Sequence, residues 1–294
     1  MSTALFTSPV QAIVRPDREV YEGEAVWTAA LVAMVTDEDG GPTTPLHVCS
    51  AVLIKPQILL TAAHCVADGE FSEDWVVHVG HRNPSGQDGV TRRPVSVIYH
   101  GLYDRGWHDY DEEEMWSPLS GGRSQDEYHF EGDIAVILLD RSVPGIVPAS
   151  LPRSVRHRPA PDWRTYGWGT TGEDELTEPD RLLTAAQDDL TVDYRLQTGA
   201  PLQRVYAAVR YTPYGTSGTC WGDSGGPLVD GRGVVIGLTS WADAEGCSDP
   251  VPTLFTRVAS YLPWIDQAIQ KARKNKPMNR SGYTKHRVSI RPLG

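Results

Sequence analysis

The sequence lacks any long apolar run. Across 294 residues, no hydrophobic stretch approaches the roughly 18 residues that a membrane-spanning helix requires. It also lacks an excess of basic residues, because 38 acids outnumber 27 bases and give a net charge of −11. We therefore predict neither a membrane nor a nucleic-acid partner. Hydrophobic residues make up 40% of the chain, which is typical of a globular protein.

Acidic residues are absent from the end of the chain. No Asp or Glu follows Asp266, whereas eight of the 27 bases do, which leaves 19 bases against all 38 acids before that point. We predict a basic tail at 277–294 on an acidic body. Two interpretations stay open: the tail docks on an acidic surface, including that of its own body, or it is a frayed, solvated end.

The first 12 residues lack the charged start and the apolar stretch of about 7–15 residues that complete signal peptides have. They end in Val10-Gln11-Ala12, where the small residues suit a signal peptidase. We predict that 1–12 is a signal remnant or a pro-segment.

Cysteine is scarce, with four residues at Cys49, Cys65, Cys220 and Cys247. An even number with two short spacings predicts two disulfides, Cys49–Cys65 and Cys220–Cys247. Disulfides form in oxidising compartments, so we expect a secreted protein. Four reduced core thiols are the alternative.

The chain has few long regular segments. Its 28 Gly and 22 Pro separate short Val-, Thr- and Leu-rich runs, which predicts an all-β fold. Two sets of about six strands are expected, at 29–35, 47–54, 57–62, 75–79, 93–99 and 133–139, then at 164–166, 204–209, 227–229, 233–238 and 253–258. One helix is predicted at Ser260–Lys274, where apolar residues recur at helical spacing and bases gather at the end.

Residues 104–132 have few apolar repeats and many acids. Eight of these acids lie between Asp109 and Glu131. We predict an acidic surface insertion. A calcium site made from some of these carboxylates is an alternative, although no EF-hand-like spacing supports it.

Three short motifs point to chemistry. TAAHC places His64 after an apolar strand. The motif GDIA opens another apolar strand and places the carboxylate of Asp133 at its start. A carboxylate is costly to bury unless other groups bind it. GDSGGP sets Ser224 between glycines. The Ser224 hydroxyl and the N–H groups of Gly222 and Ser224 are thereby unobstructed, as an oxyanion hole requires. A histidine beside a cysteine, taken alone, is equally compatible with a metal ligand or a buried core side chain.

In the order TAAHC, GDIAVILLD and GDSGGP, these motifs resemble the three signature segments of the chymotrypsin-like serine peptidases. The resemblance extends over roughly 13–270 and includes Gly167-Trp168-Gly169, Ser240-Trp241 and Tyr261–Ile269. It implies two six-stranded antiparallel β-barrels with a C-terminal helix. The N-terminal barrel would occupy 13–141 and carry the insertion at 104–132, and the C-terminal barrel with the helix would occupy 142–276.

The resemblance implies a serine endopeptidase that forms an acyl-enzyme. Ser224 would be the nucleophile, His64 the general base and Asp133 the group that orients the imidazole, with Ser240 helping to hold Asp133. Gly222 and Ser224 would supply the oxyanion hole. No metal or organic cofactor is needed. The expected partners are polypeptide substrates and protein inhibitors, and a monomer is expected.

Members of this family usually mature by a cut that frees an Ile-Val-Gly-Gly start, whose ammonium pairs with the Asp before the nucleophile. That Asp is Asp223 here, and Ile13 is the expected start. The chain departs from the family at Arg15-Pro16, which replace the two glycines. The Ala12–Ile13 bond has a small residue before the cut, so cleavage by the enzyme itself is a hypothesis.

The resemblance also places the primary substrate pocket. Gly218 lies at its base, with Thr219 beside it. An acidic residue at the base would select Arg or Lys, and this chain has none there. Side chains on the walls obstruct a deep slot, as in the elastases. We expect cleavage after small aliphatic residues, with medium apolar residues as the alternative. The complete expected set is Gly218, Thr219, Ser240, Trp241, Ala242 and Thr253.

Two other functions remain open at this point. One is a zymogen-like enzyme that needs an external activator, since the expected start is irregular. The other is a non-catalytic relative that binds partners through the same fold, although such proteins usually lose a triad residue and this chain retains all three.

Overall fold

The structure is a computed structural model. It describes residues 13–36, 43–67, 71–72, 74–83, 88–103, 132–169, 181–192, 204–213, 215–242, 252–275 and 284–288. Residues 1–12, 104–131 and Cys247 lie outside this set, so the predictions made for them stay predictions. Among the described residues, no helix combines the length and apolar character needed to cross a membrane.

The first half of the chain builds a curled antiparallel sheet. The elements are β1 (Arg18–Glu19), β2 (Thr28–Val35), β3 (Thr44–Lys55), β4 (Ile58–Thr61), α1 (His64–Ala67), β5 (Val76–Val79), β6 (Val90–Arg92), β7 (Pro94–His100) and β8 (Ala135–Leu139). Strands β2 to β8 pair in the order β7-β8-β4-β3-β2-β5-β6. Because β6 and β7 are consecutive, one run of chain supplies both ends of this order, and the sheet curls around buried Val, Leu and Ile side chains.

The second half closes into a barrel. Its strands are β9 (Trp163–Gly167), β10 (Leu183–Asp189), β11 (Val205–Thr212), β12 (Gly215–Ser217), β13 (Pro227–Val229), β14 (Val235–Ala242) and β15 (Thr253–Arg257). Six of them pair antiparallel in the order β10-β9-β13-β14-β15-β11, and β11 pairs with β10 to close the ring. Strand β1 pairs with β10, so residues near the start of the described chain lie on the second barrel. The domain boundaries at 13–141 and 142–276 stay a prediction.

A helix follows the second barrel. A short 3-10 helix at Val258–Tyr261 leads into α2 (Leu262–Lys274). The apolar face of α2 is buried and includes Trp264 and Ile265, and its last turn carries three bases that suit the helix dipole. The predictions of an all-β fold and a C-terminal helix are confirmed.

Part of the basic tail is a strand. Strand β16 (Thr284–Val288) pairs in parallel with β7, in a register that runs from Thr284 opposite Ser96 to Val288 opposite His100. It adds an eighth strand to the first sheet. The interpretation of the tail as a frayed end is therefore wrong for these five residues. Strand β7 pairs with β8 on one side, and its other edge supplies hydrogen-bonding partners for the tail. The sequence of the tail alone cannot reveal these partners.

Candidate active site

Asp133 and His64 are in direct contact. Asp133 comes just before β8, and His64 is the first residue of α1. Asp133 Oδ2 lies 2.9 Å from His64 Nδ1, and Asp133 Oδ1 accepts a hydrogen bond of 3.0 Å from the His64 backbone N–H. An ionised carboxylate only accepts hydrogen bonds, so Nδ1 carries the ring proton and Nε2 remains available as a base.

The Asp133 carboxylate is buried, with 3% of the residue exposed. Burial alone would raise its pKa. The charge interaction with His64 and the hydrogen bonds from His64 and Ser240 outweigh that effect and hold the pKa of Asp133 below its ordinary value. The Ser240 hydroxyl on β14 donates to Asp133 Oδ2 at 2.6 Å. This hydrogen bond is the contact that Ser240 needs in order to help hold Asp133, as predicted from the resemblance.

A disulfide joins β3 to α1, the helix that begins with His64. Cys49 and Cys65 are bonded, as predicted. These two sulfurs and a His64 ring nitrogen lie within 4.8 Å of one another. Because a metal requires thiolates and both sulfurs are in the disulfide, this group is not a metal site. Cys220 is also disulfide-bonded; its expected partner, Cys247, lies outside the described residues.

Ser224 lies in the loop before β13. Its carbonyl accepts a hydrogen bond of 2.7 Å from the Ser50 N–H, and the same oxygen lies 3.6 Å from Cys65 Sγ. The backbone of Ser224 is therefore held against the segment that carries His64. Within the described residues its hydroxyl makes no hydrogen bond, and in unliganded enzymes the bond between nucleophile and base is often long.

The glycines around Ser224 are required by the backbone. Gly222 has φ +94° and Gly225 has φ +76°, a region that residues with a side chain rarely adopt. A Cβ on Gly222 would also come within 3.2 Å of the His47 ring. In the described part of the chain, neither the Gly222 N–H nor the Ser224 N–H has an acceptor. Both predicted oxyanion donors are thus left available.

The predicted pocket residues come together at one place. The Thr219 and Thr253 hydroxyls lie 3.0 Å apart, and both residues are buried. A Cβ placed on Gly218 would lie 3.7 Å from Thr253 Oγ1, so Thr253 lies beside the position assigned to the pocket base. Trp241 and Ala242 belong to β14, and Ala242 pairs with Thr253 across the sheet. The side chain of Ala242 is outside what the structure describes.

Asp223 is buried, with 1% of the residue exposed. Burial raises the pKa of Asp223 to about 7, against hydrogen bonds of 2.9 Å from the Cys220 N–H and 2.8 Å from the Gly169 N–H. A Cβ on Gly169 would lie 2.6 Å from the carboxyl group, so a glycine there leaves the space that Asp223 occupies. The carboxylate has no cationic partner among the described residues.

Ile13 is fully buried, and its side chain packs with Leu183 and Ala185 of β10. The next residue, Val14, exchanges two backbone hydrogen bonds with Gly218, of 3.0 Å and 3.3 Å. The segment that was expected to contain the mature start is thus docked against the chain that leads from Gly218 to Asp223.

Comparison with known proteins decides the family. The profile of the family described as Trypsin matches residues 18–265. The chain belongs to the trypsin family. It is a serine endopeptidase. A snake venom serine protease from Bothrops alternatus is 32% identical over 238 residues, which cover 75% of this chain and 85% of that protein.

Two further relatives of this trypsin-family peptidase agree with the fold. Chymotrypsin-like elastase family member 1 from Bos taurus is 29% identical over 283 residues, covering 91% of this chain and 96% of the relative. The structure of neuropsin, a serine protease of mouse brain, has a TM-score of 0.62 and 25% identity, and covers 87% of this chain and 100% of its own.

Sequence reasoning missed three residues that hold this site. Ser50 contacts the loop of Ser224. Tyr261 accepts a hydrogen bond of 2.8 Å from the Gly132 N–H, next to Asp133. Arg15 has φ +50° where the family has glycine; its guanidinium donates to the Thr216 carbonyl, and its own carbonyl accepts from Ser217, both at 2.8 Å. The departure at Arg15-Pro16 was visible in the sequence, whereas the contacts of Ser50 and Tyr261 gave no local signal.

Proposed function

We propose that this peptidase cleaves peptide bonds with Ser224 as nucleophile, His64 as general base and Asp133 as the orienting carboxylate. The contact between buried Asp133 and both the ring and the backbone of His64 carries the proposal. It fixes the tautomer in which Nε2 can accept a proton.

In the proposed reaction, Ser224 Oγ attacks the substrate carbonyl carbon while His64 Nε2 takes the hydroxyl proton. The tetrahedral oxyanion accepts hydrogen bonds from the N–H groups of Gly222 and Ser224. His64 then gives the proton to the leaving amine, and an acyl-enzyme remains. Water, activated by the same nitrogen, hydrolyses the ester and restores Ser224. Asp133 stays ionised throughout, consistent with its lowered pKa.

Labelling with a fluorophosphonate tests this assignment. The native protein should be modified at Ser224, and the Ser224→Ala variant should be neither labelled nor active. Ser72, a serine of the first half, provides a matched control, because Ser72→Ala should leave labelling intact. A folded native protein that resists the reagent after its N-terminus is confirmed as Ile13 would favour the rival function, a non-catalytic binding protein.

For substrates, we propose polypeptides with a small aliphatic residue before the cleaved bond. The Thr219–Thr253 pair occupies space beside the pocket base and supports a shallow site. The bovine relative, whose name places it among chymotrypsin-like elastases, adds support. We also propose that the protein is secreted, because the Cys49–Cys65 disulfide is typical of oxidising compartments.

For activation, we propose a cut between Ala12 and Ile13 that gives Asp223 a cationic partner. Two observations support it. Ile13 is already buried and Val14 is bonded to Gly218. Asp223 is a buried carboxyl whose pKa is raised to about 7, and a nearby ammonium would relieve that cost.

A further inference from the structure

We infer that Ser50 is a positioning residue for the oxyanion hole, which it holds through two hydrogen bonds from the opposite half of the molecule. This inference rests on the proposed function, since it concerns the two residues assigned as oxyanion donors. Ser50 lies on β3, next to the disulfide residue Cys49, and is fully buried.

One residue contacts both donors. The Ser50 N–H donates to the Ser224 carbonyl at 2.7 Å, and the Ser50 hydroxyl donates to the Gly222 carbonyl at 3.0 Å. Within the described residues, no other group donates to the Gly222 carbonyl. The hydroxyl therefore fixes the peptide group after Gly222 together with the Asp223 N–H, which donates to the Cys220 carbonyl at 3.0 Å.

That peptide group needs fixing because Gly222 is conformationally free. At φ +94° it is in a region that only glycine enters readily, and glycine has the largest choice of alternative conformations. If the Gly222 backbone rotated, the Gly222 N–H, which belongs to the preceding peptide group, would turn away from the cleft. Oxyanion stabilisation depends on donors that are already oriented before the reaction.

The neighbouring contacts keep Ser50 itself in place. Thr61 on β4 donates from its hydroxyl to the Ser50 carbonyl at 2.7 Å. Ser50 is also paired with Ala30 of β2 in the sheet. The hydroxyl therefore projects from a rigid strand, and it transmits the position of the first sheet to the loop of the second barrel.

The test removes the hydroxyl and measures each step. In Ser50→Ala and Ser50→Gly, kcat should fall about tenfold while KM stays within about twofold. The oxyanion donors stabilise the charge that develops in the transition state, so their misorientation should affect the reaction step more than substrate binding. The affinity for a peptide aldehyde, whose adduct carries the oxyanion, should weaken by a similar factor, whereas the affinity for the matching peptide product should not. Each rate is divided by the concentration of reactive Ser224, measured by fluorophosphonate labelling. Unfolded protein therefore does not lower the value.

Thr184→Val is the matched control. Thr184 on β10 is fully buried, and its hydroxyl donates to the Thr165 carbonyl at 2.8 Å. No described hydrogen bond joins Thr184 to His64, Asp133, Gly222 or Ser224. Thr184→Val should lower stability without changing kcat. The inference is overturned if Ser50→Ala keeps kcat within about twofold, or if its affinities for the aldehyde and for the product weaken by the same factor. A native enzyme that does not react at Ser224 would instead refute the proposed function.

Discussion

At the scale of single residues, Asp133 is held from both halves of the molecule. Its carboxylate accepts hydrogen bonds from His64 in the first half and from Ser240 in the second. Its backbone carbonyl accepts a bond of 2.9 Å from the Thr256 hydroxyl on β15. The geometry of the proposed triad therefore depends on how the two halves pack, as the geometry of the oxyanion loop does through Ser50.

Thr253 is the residue whose replacement should change substrate choice. It is 2% exposed and lies beside Gly218, so Thr253→Gly should deepen the pocket. The ratio of kcat/KM for a peptide with Phe before the cleaved bond to that for one with Ala should rise, by about 10-fold to 100-fold. A matched pair of fluorogenic peptides that differ only at that residue measures the ratio.

Two conservative variants show which part of Thr253 matters. Thr253→Val keeps the volume but loses the hydrogen bond to Thr219, and should leave the ratio near that of the native enzyme. Thr253→Ser keeps the hydroxyl but removes the methyl group, and should give an intermediate ratio. If Thr253→Gly cleaves the two peptides in the native ratio, Thr253 does not line the pocket.

At the scale of elements, β16 protects the edge of β7. Removing 276–294 should expose that edge, and the amides of Ser96–His100 that face β16 should then exchange hydrogen faster. If the lost pairing is worth about 1 kcal/mol, the melting temperature should fall by about 2–4 °C. Hydrogen exchange followed by mass spectrometry measures the first effect, and calorimetry the second.

A second variant distinguishes the effect of the tail's charge from the effect of its strand pairing. Lys285→Gln with Arg287→Gln removes two charges but leaves the backbone able to pair. This variant should retain slow hydrogen exchange at the amides of Ser96–His100. Faster exchange in this variant, equal to that after truncation, would show that charge rather than strand pairing holds the tail. Unchanged exchange after truncation would mean that β16 does not protect β7.

The sequence predicted elements whose signal is local. The helix at the C-terminal end, with its regular apolar spacing, and most strands of the two halves were found in this way. Strands β1, β6, β10, β12 and β16 were not. The sequence of β10 ends in polar residues, and that of β16, Thr284–Val288, shows no apolar alternation. Their existence depends on partner strands far away in the chain, which no short pattern reveals.

The same limit applies to the site. Motifs placed His64, Asp133 and Ser224, because each has its own local context. The Ser50 hydroxyl bonds to a residue 172 positions away, and the Arg15 guanidinium to one 201 positions away. Only the folded chain brings such groups together, so they could not be predicted from spacing.

At the scale of the whole molecule, stability should depend on pH through Asp223 until the N-terminal cut is made. The folded chain raises the pKa of Asp223 from 3.8 to about 7. Between these values the folded state keeps a proton that the unfolded state has lost. The free energy of unfolding therefore falls as the pH rises through this window, by an amount on the order of 1–4 kcal/mol, and levels off above it.

The measurement uses Ser224→Ala protein, which cannot cut itself, with and without the additional change Asp223→Asn. Buried His47, His78 and His100, whose pKa values burial lowers to about 4, act in the opposite sense. The difference in unfolding free energy between the two proteins, compared at about pH 4 and about pH 7, isolates Asp223. In the uncut chain, the stability of Asp223→Asn relative to its parent should therefore rise between these two pH values.

The same pair made with Ile13 as the first residue gives the decisive comparison. An ammonium beside Asp223 favours the ionised carboxyl and should bring its pKa down, so the parent should no longer lose stability as the pH rises. Asp223→Asn should then become the less stable protein at about pH 7, because it leaves the ammonium buried without a partner. If both lengths of chain give the same pH dependence, the terminus of Ile13 does not reach Asp223, and the proposed activation is wrong.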